Sequence, residues 1–103
     1  MRVVWSELAE NELDKIYDYY VKEASIEIAK KIAIGIIKET EKLIKLPLIG
    51  QEEELLSHRK FNYRYLIYKN YKIIYHVDLN NKFIKISDVF DTRQNPSKLN
   101  RNQ

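Results

Sequence analysis

The side chains best suited to chemistry or binding in this sequence are basic and fall late in the chain: Arg59, Lys60, Arg64, Lys72, His76 and Arg93. Lysine and arginine neutralise phosphates or carboxylates, and an imidazole, with an ordinary pKa of ~6.5, can move a proton near neutral pH. These residues alternate with tyrosines along the segment 59–76. A basic surface interleaved with aromatic rings suits phosphates and stacked bases, and equally an acidic peptide. The net charge of +3 hides an asymmetry. Residues 1–56 carry 8 Lys/Arg against 12 Asp/Glu, and residues 57–103 carry 10 against 3. A field of that sign over one part of the surface steers polyanions or an acidic protein.

Other chemistries find no support. There is no cysteine, so disulfides, thiolate metal sites and cysteine nucleophiles are excluded. The two histidines, His58 and His76, have no spaced partner, and no metal site is expected. Glu52, Glu53 and Glu54 are adjacent in a loop-like segment and read as a solvated run, not as a glycosidase pair. No glycine-rich phosphate loop and no Ser–His–Asp assignment emerges, and no cofactor is implied. No stretch approaches the ~18 apolar residues of a membrane span. Residues 1–7 show no signal-peptide core, and cysteine is absent, so a reducing, cytoplasmic location is expected.

Positioning the basic side chains requires a scaffold, and 103 residues allow one domain. Arg2–Trp5 reads as a short strand. Ser6 stands where an N-cap belongs, with Glu7 and Glu10 in the following turn. Ala9, Leu13, Ile16, Tyr17 and Tyr20 then recur at helical spacing. After a break at Glu23-Ala24, Ser25 opens a second helix, Ile26 to Lys45, with its stripe on Ile28, Ala29, Ile32, Ala33, Ile36, Ile37, Leu43 and Ile44. Pro47 and Gly50 end it. Gly35, inside that helix, costs about 1 kcal/mol against alanine, and close approach of the first helix would explain it. Residues 51–56 read as a surface loop or short helical turn. Lys60–Tyr68, Tyr71–Asp78 and Lys82–Phe90 read as strands joined by tight turns. The fold class is therefore α+β in the order β-α-α-β-β-β: an antiparallel sheet with a helix hairpin packed on one face. The domain is placed at 1–96 and a polar tail at 97–103. Tyr17, Tyr20, Tyr65, Tyr71 and Tyr75 are assigned to the core.

Alternation then assigns faces. Phe61, Tyr63, Tyr65 and Ile67, with Tyr71, Ile73, Tyr75 and Val77, form the more apolar sets and are expected to face the helices. Both sets do so only if the intervening turn has odd length, Tyr68-Lys69-Asn70, with Ile67 opposite Tyr71. A strict two-residue turn at Lys69-Asn70 puts Arg64 and Lys72 on opposite faces, because a one-residue slip flips every side chain. The odd turn buries no charge and is the expectation. It places Arg64, Lys72 and His76 together on an open face, with Arg59 and Lys60 at its start and Arg93 at its edge.

These segments resemble the RelE/ParE superfamily of type II toxins. Val4-Trp5-Ser6-x-x-Ala9-x-x-x-Leu13-x-x-Ile16 is similar to the family's first strand and helix. The stretch from Tyr63 to Tyr75 resembles its central hairpin. Val89-Phe90-Asp91-Thr92-Arg93-Gln94-Asn95-Pro96 resembles the ending of ParE-like and plasmid-stabilisation members. The resemblance implies the fold above and a toxin that inhibits growth until a cognate antitoxin wraps around it. Promoter DNA would be bound only through the antitoxin. Two modes of action are implied. RelE-type members cut mRNA on the ribosome, for which Arg64, Lys72 and Arg93 would be catalytic, with His76 a possible proton carrier. ParE-type members inhibit DNA gyrase without being nucleases. No Tyr or His follows Arg93, where the nuclease branch often carries one, which tilts the expectation towards ParE-like action. A third reading is a decayed toxin that only holds its antitoxin.

Overall fold

Ser6 fixes the start of the fold. In the computed structural model, which describes residues 1–94, strand β1 (Arg2–Trp5) runs into this residue. The Ser6 hydroxyl accepts from the Ala9 N–H and donates to the Ser87 carbonyl, both at 3.0 Å. Its own N–H donates to the Ile86 carbonyl at 2.9 Å. One serine thus caps helix α1 (Glu7–Glu23) and ties the cap to the strand that carries residues 86 and 87. Ser25 repeats the device for α2 (Ile26–Glu41), its hydroxyl accepting from the Ile28 N–H at 3.1 Å. The last expected turn of α2 tightens into a 3-10 turn, Lys42–Ile44.

Four more strands follow: β2 (Gln51–Glu52), β3 (Arg64–Tyr68), β4 (Tyr71–Asp78) and β5 (Phe83–Asp91). A 3-10 turn, Glu54–Leu56, lies between β2 and β3. The sheet order is β1-β5-β4-β3-β2. The β3-β4-β5 meander is antiparallel, as expected from the tight turns. β1 pairs with β5 in parallel, so the sheet is mixed. β3 is shorter than the expected Lys60–Tyr68, because residues 60–63 leave the sheet plane to cross its second face. The boundary at 96 and the tail 97–103 lie outside the described residues.

The turn between β3 and β4 has two residues. Tyr68 pairs with Tyr71, Ile67 with Lys72 and Arg64 with Tyr75. Lys69 takes a φ of 54°, the left-handed conformation that lets a two-residue turn follow the twist of its strands. The expected odd turn is therefore wrong, and the faces are reversed for β3. Leu66 and Tyr68 face the helices beside Tyr71, Ile73 and Tyr75, and they pack with Ala9, Ile32, Ile36 and Leu43 in the main core. Tyr63 and Tyr65 lie on the second face with Leu56, Ile74 and Phe90, in a smaller core of their own. The premise that one face is open failed, because the segment 53–63 roofs part of it. An irregularity between Ile74 and Tyr75 opposite Ser87 shifts the β5 register. It keeps Ile84, Ile86 and Val89 all in the main core despite the break in alternation.

Gly35 is explained by the sheet and not by α1. A β-carbon there would fall on the Tyr68 hydroxyl and ring, the Cε1 atom being 2.7 Å away. Replacement by alanine would gain about 1 kcal/mol of helix propensity, against roughly 1–3 kcal/mol for forcing Tyr68 aside. Gly35→Ala is expected to lower stability by ~1 kcal/mol in wild type and to raise it by ~1 kcal/mol in a Tyr68→Ala background, read as a double-mutant cycle by urea denaturation.

Candidate functional site

The even turn separates the basic residues that alternation had grouped. Arg64 opens β3 on the helix face, opposite Tyr75. Its Nη1 donates to the Gly50 carbonyl at 2.9 Å, and Nη2 lies 3.8 Å from the exposed Glu52 carboxylate. Gly50 can come this close to the sheet because it lacks a β-carbon, which would meet the Tyr75 hydroxyl at 2.6 Å and the Tyr65 carbonyl at 2.7 Å. The Tyr75 hydroxyl accepts from the Gly50 N–H and donates to the Pro47 carbonyl, both at 2.9 Å. Arg64 is thus part of a structural junction between the sheet and the loop after α2.

Lys72 projects from the second face. Its Nζ is 2.7 Å from Glu53 Oε2 and 4.3 Å from the centre of the Tyr65 ring. The Glu53 side chain is 3% exposed and that of Lys72 is 21% exposed. The reading of Glu52–Glu54 as a solvated run holds for its two outer members and fails for Glu53. Glu53 is held in place by its N–H, which donates to the Tyr63 carbonyl at 2.9 Å. Sequence reasoning missed this residue, because nothing local distinguishes the buried member of three successive glutamates.

His76 shares the face of Lys72 and is 6% exposed. Phe61 stacks on it at 4.2 Å with a 7° interplanar angle, and Tyr63 meets it edge-on at 5.5 Å. Its Nδ1 is buried with no hydrogen-bond partner among the described residues. Burial, and then the neighbouring Lys85, hold its pKa below the ordinary value, while Asp78 opposes them weakly. A proton carrier needs access to the proton it moves, and this imidazole is roofed by Phe61. Phe61, expected on the helix face from alternation, therefore lies on the second face. Lys60 sits outside that roof, its Nζ 5.6 Å from the Phe61 ring centre, and Arg59 is half-buried just before it.

Arg93 lies on the α1 side, where it lines a recess of about 290 Å³ with Ile16, Tyr19, Tyr71 and Val89. Its guanidinium forks onto Asp91, with Nε to Oδ1 at 3.0 Å and Nη2 to Oδ2 at 2.8 Å. The Arg93 N–H and the Asn70 side-chain amide also donate to Asp91, which pushes that carboxyl down to about 2. The Thr92 N–H donates to the Asn70 carbonyl, so Arg93 stands at the turn end of the hairpin while Arg64 stands at the far end of β3. At the rise of an extended strand, the five residues of β3 separate those ends by about 13 Å. The hydroxyl of Tyr71 donates to that of Tyr20 at 3.4 Å. Burial and this contact raise the Tyr71 pKa, so it stays a phenol.

Arg64, Lys72 and Arg93 therefore do not converge on one point, and each is committed to an oxygen of the protein itself. Among the described residues, no three His, Asp or Glu side chains gather in a metal-binding arrangement. No helix among them is long and apolar enough to cross a membrane.

The titrations carry signs that can be measured. His76 is held neutral in the folded state and takes a proton at an ordinary value, ~6.5, when unfolded. Its contribution to stability is therefore full above pH ~6.5 and is lost as pH falls towards the lowered folded value. Asp91 is ionised in the folded state well below the usual carboxylate range. Its contribution is full above pH ~4 and is lost as pH falls to about 2. Solvent screening of the exposed Arg93 limits this second effect to about 1 kcal/mol. His76→Phe is expected to flatten the decline of stability just below pH ~6.5, and Asp91→Asn to remove the decline below pH ~4, both followed by urea denaturation across pH.

A family profile described as "ParE toxin of type II toxin-antitoxin system, parDE" matches residues 3–96. A solved structure from the chromosomal ParDE toxin–antitoxin system of P. aeruginosa is similar at 25% sequence identity and a TM-score of 0.72. The match covers 88% of this chain and 95% of that one. No curated protein matches. On a match that spans nearly every residue described above, the chain belongs to the ParE toxin family of type II toxin–antitoxin systems.

Proposed function

We propose that this toxin acts on DNA gyrase by protein contact in the cytoplasm, without cleaving RNA, until an acidic segment of its cognate antitoxin covers it. The observation that carries this reading is the dispersal of the basic residues. Arg64 serves the Gly50 junction, Lys72 is paired with a buried glutamate, Arg93 is forked onto Asp91, and His76 is roofed. In-line attack by a 2′-hydroxyl needs a base and a phosphate clamp within reach of the same few atoms. These four side chains are split between two faces of the sheet.

Protein contact is supported by what the surface does display. Ile34 and Ile37 on α2, and Leu46, Leu48 and Ile49 in the loop after it, are exposed aliphatic side chains. Apolar exposure on this scale suits a protein partner better than a polyanion. An antitoxin is supported by the family, and by the P. aeruginosa relative, which comes from a toxin–antitoxin system. Its acidic segment would find exposed Lys60, Lys69 and Lys82 on the basic half. In paired assays, the purified toxin is expected to inhibit gyrase supercoiling and to leave cell-free translation intact. Blocked translation with normal supercoiling would sink the reading.

A further inference from the structure

Glu53 is an acidic side chain buried beside Lys72 on the second face, and its position has a consequence for what that face can bind. Lys72 projects from the start of β4, over the Tyr65 ring and next to the exposed Ile67. A cation standing over an aromatic ring on a sheet is a ready contact for a nucleic-acid backbone. Here the position beside the ammonium is already taken by a carboxylate at 2.7 Å. The residue that carries it is held at its side chain, its backbone and the turn that follows. Its Oε1 accepts from the Leu55 N–H at 3.3 Å, its backbone N–H donates to the Tyr63 carbonyl at 2.9 Å, and Leu56 three residues on is anchored in the second core. The flanking Glu52 and Glu54 and the ring of Tyr63 line the small recess beside it.

We infer that Glu53 is a specificity-determining residue: it occupies Lys72 from within and so excludes phosphate backbones from the second face of the sheet. The inference rests on the proposal that the toxin works by protein contact, and it identifies the side chain that enforces that choice. A phosphate approaching Lys72 would meet the repulsion of a carboxylate already on the ammonium, and drawing the lysine away would leave that buried carboxylate unpaired. Breaking a buried ion pair by removing one partner is strongly unfavourable, so exclusion does not require the carboxylate to contact the polyanion at all.

Two measurements test this. The first uses the wild-type protein and reads the reactivity of each lysine amine to a water-soluble acylating reagent by mass spectrometry. Lys72 is expected to react at least tenfold more slowly than the exposed Lys60 and Lys69. Equal rates would overturn the inference without any variant having to fold. The second measures binding of a fluorescent single-stranded oligouridylate by anisotropy across a salt series. Glu53→Gln is expected to steepen the logarithmic salt dependence by ~0.7, one further phosphate contact, and to tighten binding roughly five- to tenfold at low salt. The double variant Glu53→Gln/Lys72→Met is expected to return to the wild-type slope. An unchanged slope in folded Glu53→Gln, or a gain that survives loss of Lys72, would overturn it. The two readings fail separately: tight RNA binding or cleavage by wild type defeats the protein-contact proposal, whereas inertness of both wild type and Glu53→Gln defeats only the role of Glu53.

Discussion

The pairing of Tyr68 with Tyr71 is the constraint on which the rest of this structure depends. A two-residue turn demands a left-handed residue, and the chain places Lys69 there instead of glycine, at a cost of about 1 kcal/mol. The five cross-strand pairs of β3 and β4 offset it. Once that register is set, alternation decides every side chain of both strands. Tyr68 goes under α2 and requires Gly35. Tyr75 goes under the loop after α2 and requires Gly50. Arg64 goes with them, and Lys72 and His76 go to the other side. A slip of one residue would send Tyr68 to the second face and Ile67 under α2, and Gly35 would lose the ring it accommodates.

The charge asymmetry of the sequence survives folding, but it does not become a concentrated basic site. Arg64, Lys72 and Arg93 each meet an oxygen close by in space. The pairs differ in what they do. Arg93 is 64% exposed and its fork onto Asp91 chiefly organises the end of β5. The Lys72–Glu53 pair is largely buried, where attraction and desolvation nearly cancel. Its consequence lies less in stability than in which groups remain available to a partner. The carboxylates of the first half include the one that neutralises the most central cation of the second.

Elements that depend on local chemistry were legible in the sequence. Ser6 and Ser25 announce their helices through capping, and the order of elements follows from caps, stripes and turn residues. The main core was legible in part: Ala29, Ile32, Ile36 and Leu43 are buried as expected, while Ile28, Ile37 and Ile44 of the same stripe are exposed. The parity of one turn was not legible, because either register puts large apolar or aromatic β3 side chains under the helices, Leu66 and Tyr68 or Tyr65 and Ile67, and the charged residue that changes side is Arg64. The argument against burying a charge favoured the wrong one. It assumed that the helix face is apolar to its edge, whereas Arg64 reaches past that edge to a carbonyl. Nor was the roof legible. Residues 53–63 have no periodicity, and only the folded chain shows Leu56, Phe61 and Tyr63 against the sheet. The grouping of Arg64, Lys72 and His76 inherited both errors.

What remains exposed after these commitments is informative. The roof occupies the centre of the second face, the helices occupy the first, and the loop after α2 carries Leu46, Leu48 and Ile49 outward. That loop is not slack: the Tyr75 hydroxyl bridges Pro47 and Gly50, and the Ile49 N–H donates to the Leu46 carbonyl at 3.1 Å. Ordering a surface before contact lowers the entropy that binding must overcome. A tyrosine hydroxyl that holds an apolar loop in place, and a buried glutamate that occupies Lys72, both suit the protein contact proposed above. The chemistry that would cut RNA needs the opposite disposition: a free cation and an accessible proton carrier on one face.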